Sequence, residues 1–458
     1  MAEKCYVTVD IGSTNIKAAC VAPDGTVLSQ TGKKMPLLCD GYHVEADPES
    51  MYRTIKDLIR KVVAKGDYQP ESLGFACQMS GMILLDQGGR PLTNVIYGID
   101  YRGAECQEQL EKLMDRSTIY DETGCPKSGI YLPGKLLWFG EKAPEIIRET
   151  RFVMGIKEYM LMRLTRNIIV DYASASSTQL YSRKEHVWWQ EMIHEVGIGE
   201  CSMPAIAMPF DTAGQLIASE ARDLGLLYDL RVIVGSGDGP VSNIATGAIN
   251  KGDCCISFGT TTVTRYLTKT VTLDEEKGYF CQHLYGDLYL QGIRMNDTGR
   301  EISKYVKLTG GVCEEIEGVY FWDGQFHNAG MLTNGQKLHA VCDSVLFEIY
   351  DRMLPLIVKE SITKFYCVGG GSKDRRWMQD LSDLFGMEVV LPQSQDIFPG
   401  IGVLCAMNRH LYADLSGGVR AMAGENVVLI PGQFHNELKN RYFQYIKFRN
   451  ALTGKDGV

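Results

Sequence analysis

The chain has 458 residues, 45% of them apolar, and a formal net charge of -9 at neutral pH. That length exceeds what a single hydrophobic core keeps growing to fill, so two domains are expected. The acidic balance, without any long run of Lys or Arg, excludes nucleic acid and anionic membrane as partners and leaves small molecules.

The opening MAEKCYVTVDIGS carries no basic stretch followed by an apolar core, and no segment approaches the ~18 apolar residues of a membrane span, so a cytoplasmic protein is expected. The 14 cysteines are scattered singly apart from Cys254 and Cys255, and neither CxxC nor HExxH occurs. They read as reduced, mostly buried thiols.

KCYVTVDIGSTNIKAACVAPDGTVLSQ predicts strands rich in Val, Ile and Thr, with a first corner at Gly12 to Asn15 and a second turn at Pro23 to Gly25. EADPESMYRTIKDLIRKVVAK then predicts a helix capped by Asp47 with Pro48 behind it and an apolar face of Met51, Ile55, Leu58, Ile59 and Val62. RLTRNIIVDYASASS reads as a strand leaving a helix. VIVGSGDGPVSNIATGA reads as an apolar strand, a glycine-rich turn and a helix with Pro240 in its first turn. GDCCISFGTTTVTRYLTK repeats the opening grammar, so that Gly12, Ser13 and Thr14 align with Gly259, Thr260 and Thr261. Strands alternating with helices give an α/β protein, and the echo predicts two domains on one core plan. The boundary is placed at residue 240, giving domains 1–240 and 241–458.

A phosphate chain calls for backbone N–H groups that approach closely, together with hydroxyls and a cation. DIGSTNIK supplies Asp10, Gly12, Ser13, Thr14 and Lys17 at one corner, and Asp10 suits Mg²⁺, a hard cation that takes oxygen ligands. The second corner at Gly259 to Thr262 offers a grip from another side. Asp238 sits at the end of a strand and the start of a helix, where it is either a cap or a base. Three glycines around it, Gly235, Gly237 and Gly239, suggest close approach by a ligand; their spacing does not fit a dinucleotide fingerprint. Gly369, Gly370 and Gly371, followed by Ser372, let something flat or anionic approach the backbone, although GGGSK lacks P-loop spacing. FPGIGVLCAM, with Gly400 and Gly402, is a candidate to complete that pocket.

In order, DIGSTNIK, VGSGDGP, SFGTTT and VGGGSKDRRWMQDLSDLFG resemble the FGGY carbohydrate kinases, the xylulokinase-like members above all, and the likeness spans most of the chain. It implies two ribonuclease-H-like (actin-like ATPase) domains flanking a deep catalytic cleft that binds MgATP and a sugar or polyol. Carried over position by position, the resemblance puts Asp10 near the metal, Gly12, Ser13, Thr14 and Lys17 on the phosphates, and Gly259, Thr260 and Thr261 on the transferring phosphoryl group. It puts Gly369, Gly370, Gly371 and Ser372 at the adenosine and makes Asp238 the catalytic base. Gln78, Met79 and Ser80 on one side, and Asp100 and Arg102 on the other, are then the acceptor-binding residues. A homodimer is compatible with the resemblance.

The chain departs from the family's pattern in three places. Ser80 stands where xylulokinase-like members have a His, which argues against xylulose itself. Gly98 and Ile99 replace a bulky ring and an amide, which implies an enlarged or reshaped pocket. A Gly-Glu-Arg-x-Pro segment is missing from the second half. Gluconate, glycerol or other polyol kinases are the alternatives within the family; an actin- or Hsp70-type nucleotide switch is the alternative outside it.

Overall fold

The computed structural model describes residues 2–422 and 424–454. It divides into two compact units: Met1–Ile249 with Thr268–Gln291 and Asp396–Ala423, and Asn250–Leu267 with Gly292–Gln395 and Gly424–Val458. A single cut at 240 therefore does not describe the chain. The first crossing falls at 249, and two later segments return to the first unit.

The first unit is built on a sheet of β1 (Glu3–Ile11), β2 (Asn15–Val21), β3 (Val27–Lys34), β4 (Tyr68–Cys77), β5 (Thr212–Gln215), β6 (Arg231–Ile233) and β7 (Ser236–Gly237). Its order is β5-β6-β4-β1-β2-β3, with β7 also paired to β4. The hairpin β1–β2 is antiparallel, whereas β1, β6 and β7 each run parallel to β4. Strand alternation divides β1 between two cores. Cys5, Val7, Val9 and Ile11 join the helix Pro48–Val63 on one face, while Tyr6 joins the helices Asp238–Thr246 and Phe398–Asn408 on the other. A sheet covered on both faces leaves the strand ends as the place for a ligand. The helix Pro48–Val63 begins as its sequence requires, with the Asp47 carboxylate accepting from Ser50 N at 2.6 Å and Met51, Ile55, Leu58, Ile59 and Val62 buried.

The second unit carries β8 (Asp253–Phe258), β9 (Thr262–Thr268), β10 (Lys364–Val368), β11 (Glu388–Pro392) and β12 (Asn426–Leu429). They follow the order β9-β8-β10-β11-β12. Here too the hairpin is antiparallel, the next two pairings are parallel, and the last strand is antiparallel. The same sequence of pairings runs through β2-β1-β4-β6-β5 in the first unit. The fold is α/β, with two ribonuclease-H-like units whose shared plan was visible in the repeated hairpin.

No described helix is long and apolar enough to cross a membrane. The 14 cysteines are all free thiols, most of them buried.

Candidate active site

Strand register brings two carboxylates to the same end of the central strands of the sheet. Ile11 and Gly237 both lie opposite Cys77, on either side of β4, so Asp10 ends one strand and Asp238 follows another. Asp238 opens the helix Asp238–Thr246 behind an N-cap at Gly237, and its Oδ1 accepts from Gly239 N at 2.8 Å. Burial and the nearby Asp238 charge push the Asp10 carboxyl up to about 7, against the pull of Lys17. Lys17 faces Asp10 across the hairpin, and its Nζ meets Asp396 Oδ1 at 3.2 Å. At the corner itself Gly12 N donates to Asn15 O at 3.0 Å, with Ser13 half-buried and Thr14 exposed.

The glycines of VGSGDGP serve the chain's own backbone. Gly235 has φ +69°, and a Cβ there would lie 2.1 Å from Phe75 O. A Cβ on Gly237 would lie 2.3 Å from Met79 Sδ. The close approach expected of a ligand is thus made by β4 and by Met79. The same contact seats Met79 directly beneath the residue that precedes Asp238.

Gln78, Met79 and Ser80 leave the end of β4 and line a small cavity of about 30 Å³, room for about one water. Ser80 holds φ +61°, an uncommon conformation for a side-chain-bearing residue, and its hydroxyl donates to Ser177 O at 2.8 Å. Lys135, fully buried, donates to Ser80 O at 3.1 Å and to Tyr97 O at 3.0 Å. Burial drives its amine down to about 7. Gly98 does not enlarge the site, because a Cβ there would stand 2.0 Å from the Met79 carbonyl oxygen. That oxygen occupies the space a ring would need, and Ile99 is exposed.

Asp100 and Arg102 depart from their expected role. Both are buried, and Asp100 accepts from Arg102 Nε at 2.9 Å, from Arg102 Nη2 at 2.8 Å and from Val44 N at 2.7 Å. Burial works against its charge, but Arg102 and the Val44 amide hold the carboxyl below the usual range. Arg102 also pairs with Glu45 and lies 4.8 Å over the Trp138 ring. A pair this fully engaged braces the segment under Met79 and has little left for a hydroxyl.

Sequence reading missed a second buried group. Lys157 lies 2.8 Å from Glu158 Oε1, 3.1 Å from Asp171 Oδ1 and 3.1 Å from Val234 O. Although burial opposes its charge, the two carboxylates keep Lys157 protonated above its ordinary range. Asp171 in turn accepts from Ser236 Oγ at 2.7 Å and from Ser174 N at 3.2 Å, tying β7, and with it Asp238, to the helix Tyr172–Ser176. The available signal was a helix apolar nearly all round, IKEYMLMRLT, that nonetheless contains a Lys-Glu pair.

In the second unit a pocket of about 690 Å³ is lined by Gly259, Thr260, Gly370, Gly371, Trp377 and others. Parallel pairing of β8 with β10 sets Ser257 opposite Val368 and so juxtaposes the two glycine corners. Gly369 has φ +92°, and a Cβ there would meet Phe258 O at 2.5 Å. Thr261, Gly369 and Ser372 do not line the pocket. The Ser372 hydroxyl is turned to Gly369 O at 2.9 Å, where it stabilises the turn. Gly400 and Gly402 belong to the first unit, where a Cβ on Gly400 would meet Val241 O at 2.6 Å. Gly400 lets two helices pack closely, Gly402 faces Met422, Val21 and Tyr6, and neither lines this pocket.

The model for the N-terminal domain of the FGGY family of carbohydrate kinases matches residues 5–245. Over 431 residues the chain is 23% identical to a gluconokinase of Bacillus subtilis (strain 168), covering 85% of this chain and 84% of that protein. Over 483 residues it is 23% identical to a xylulose kinase of Staphylococcus epidermidis, covering 97% and 96%. The crystal structure of ligand-bound xylulose kinase from Lactobacillus acidophilus shares the fold with a TM-score of 0.91 at 23% identity, over 99% of this chain and 100% of that one. The chain belongs to the FGGY family of carbohydrate kinases. It is accordingly an ATP-dependent kinase acting on a sugar or polyol hydroxyl.

Proposed function

We propose that Asp238 is the general base of this kinase and that the acceptor hydroxyl binds beside Met79, within reach of that carboxylate. The observation that carries the reading is the placement of Asp238 at a helix start, at the same end of the central strands as Asp10, with Met79 packed against Gly237. A first-turn position favours a charged carboxylate, which can take the hydroxyl proton as the phosphoryl group transfers. Gly12, Ser13, Thr14 and Lys17 serve the phosphates from the first hairpin. The pocket at Gly259, Thr260, Gly370 and Gly371 takes the nucleotide in the second unit, where its glycine backbone and the Trp377 ring suit a flat base. The protein works in the cytoplasm, where ATP is supplied and its thiols stay reduced.

Mg²⁺ fits the first corner. Burial first, and then the neighbouring Asp238 and Asp396 carboxylates, raise the cost of charging Asp10, and a hard cation there would offset that cost. Asp10 would hold the ion directly or through water; when bound, Mg²⁺ supplies charge neutralisation on the phosphates. Relatives act on both xylulose and gluconate.

The test is coupled ADP release screened across ketopentoses, ketohexoses, polyols and sugar acids, with the Asp238→Asn protein as the blank. Acceptor-dependent ADP release that vanishes in the blank is expected. Undiminished release in the blank would remove Asp238 from this role.

A further inference from the structure

Two buried amide atoms at Met79 have no hydrogen-bond partner among the described residues: Gln78 Nε2 and Gln282 Oε1. Gln78 precedes Met79 in the chain and is only 8% exposed. Gln282 lies on the strand Tyr279–Tyr285, in the segment Thr268–Gln291 that returns to the first unit, and its Nε2 approaches Met79 Sδ at 3.7 Å. A thioether is a weak acceptor, so this amide has settled for a poor partner on one side and none on the other. Leaving a buried donor or acceptor unmade costs about 1–3 kcal/mol each. One amide adjoining Met79 in the chain and another reaching its sulfur, each with a buried atom unmade, mark a place where a ligand completes the hydrogen bonding.

We infer that Gln282, together with Gln78, is a specificity-determining acceptor-binding residue that selects a neutral polyhydroxy compound, a ketose or polyol, over a sugar acid. The inference rests on the acceptor site proposed at Met79. An amide donor and an amide acceptor match adjacent hydroxyls, each of which both donates and accepts. A carboxylate would require a cation, and those of the first unit around this site are engaged. Lys157 is held by Glu158 and Asp171, Lys135 by two carbonyls, and Arg102 by Asp100 and Glu45, while Lys17 is the cation assigned to the phosphates. An acid placed here would also face the Asp238 carboxylate unpaired.

The experiment measures kcat and KM with xylulose, ribulose, xylitol and gluconate as acceptors, for wild type, Gln282→Leu and Gln282→Glu. In wild type the kcat/KM for the best neutral acceptor exceeds that for gluconate by at least about tenfold, the worth of one good hydrogen bond. Gln282→Leu raises the neutral acceptor's KM by about tenfold while the ATP KM stays within about twofold, a split that a merely structural role would not produce. Gln282→Glu keeps an accepting oxygen but sets a carboxylate near Asp238 with no free cation, so the neutral acceptor's KM rises at least as much as in Gln282→Leu. If Gln282→Leu fails to fold, as judged by its thermal midpoint, Gln282→Met replaces it with the same expectation. Gluconate preferred by wild type, or an unchanged acceptor KM in a folded Gln282 variant, overturns the inference while leaving a working kinase. No ADP release with any acceptor removes the proposed function and the inference with it.

Discussion

The proposed acceptor side in the first unit and the proposed nucleotide side in the second are built by different physics. Around Met79 the polypeptide is crowded: a cavity of about 30 Å³, a strained Ser80, and buried charges engaged with one another. Around Gly370 a pocket of about 690 Å³ combines glycine backbone and the Phe258 and Trp377 rings with apolar side chains such as Ile302, Val306 and Leu338 and with Lys307, Lys373 and Asp374 at its wall. The first arrangement holds directional groups rigidly, as proton transfer and hydroxyl recognition require. The second presents open backbone and apolar surface, which suits a nucleotide held by shape and amides.

The largest effect that would sharpen this contrast is chemical. Asp238→Asn should lower kcat by about 10²–10⁴ while the ATP KM barely moves, as measured by coupled ADP release; a matching rise in ATP KM would blur the division of labour. Next comes stability. Lys157→Met leaves Glu158 and Asp171 buried without their cation, a loss of about 3–5 kcal/mol readable in urea unfolding. Gly371→Ala tests the other side. Its Cβ would lie 2.8 Å from both Phe258 Cβ and Trp377 Cζ3, so about 1–3 kcal/mol of overpacking should appear mainly as a higher ATP KM, with acceptor KM unchanged.

The smallest effect is in pH. His283 joins Tyr181 and Gly286 inside the first unit, and burial lowers its pKa from 6.5 to about 4. Below 6.5 the unfolded chain takes up a proton that folded His283 refuses. Stability from this residue is therefore complete above about 6.5 and declines as pH falls toward about 4. Thermal midpoints taken across that window should fall more steeply in wild type than in His283→Gln.

Much of the frame was legible in residue order. The run of Val, Ile and Thr in the opening strands, the Asp47-Pro48 helix start and the repeated glycine corner are local signals, and each appears in the fold where its pattern requires. The placing of Asp10 near the end of a strand and of Asp238 at a helix start was also legible, because the glycines beside them punctuate the chain locally. Asp100 and Arg102 misled for a physical reason. A carboxylate and a guanidinium two residues apart read the same whether they face a ligand or each other, and only burial separates the cases. Gly98 misled similarly, since a missing side chain signals open space until the Met79 carbonyl is seen to fill it.

By itself the sequence determined the α/β plan, its duplication and the places of Asp10 and Asp238 beside glycine turns, since these depend on residue pattern and local turn chemistry. Tertiary structure alone decided which polar groups are engaged and which are left wanting. Lys157 among its carboxylates, and Gln282 brought back from residue 282 to the sulfur of Met79, are long-range meetings. Whether a buried amide or charge has found its partner depends on what the fold sets beside it, and no spacing along the chain encodes that.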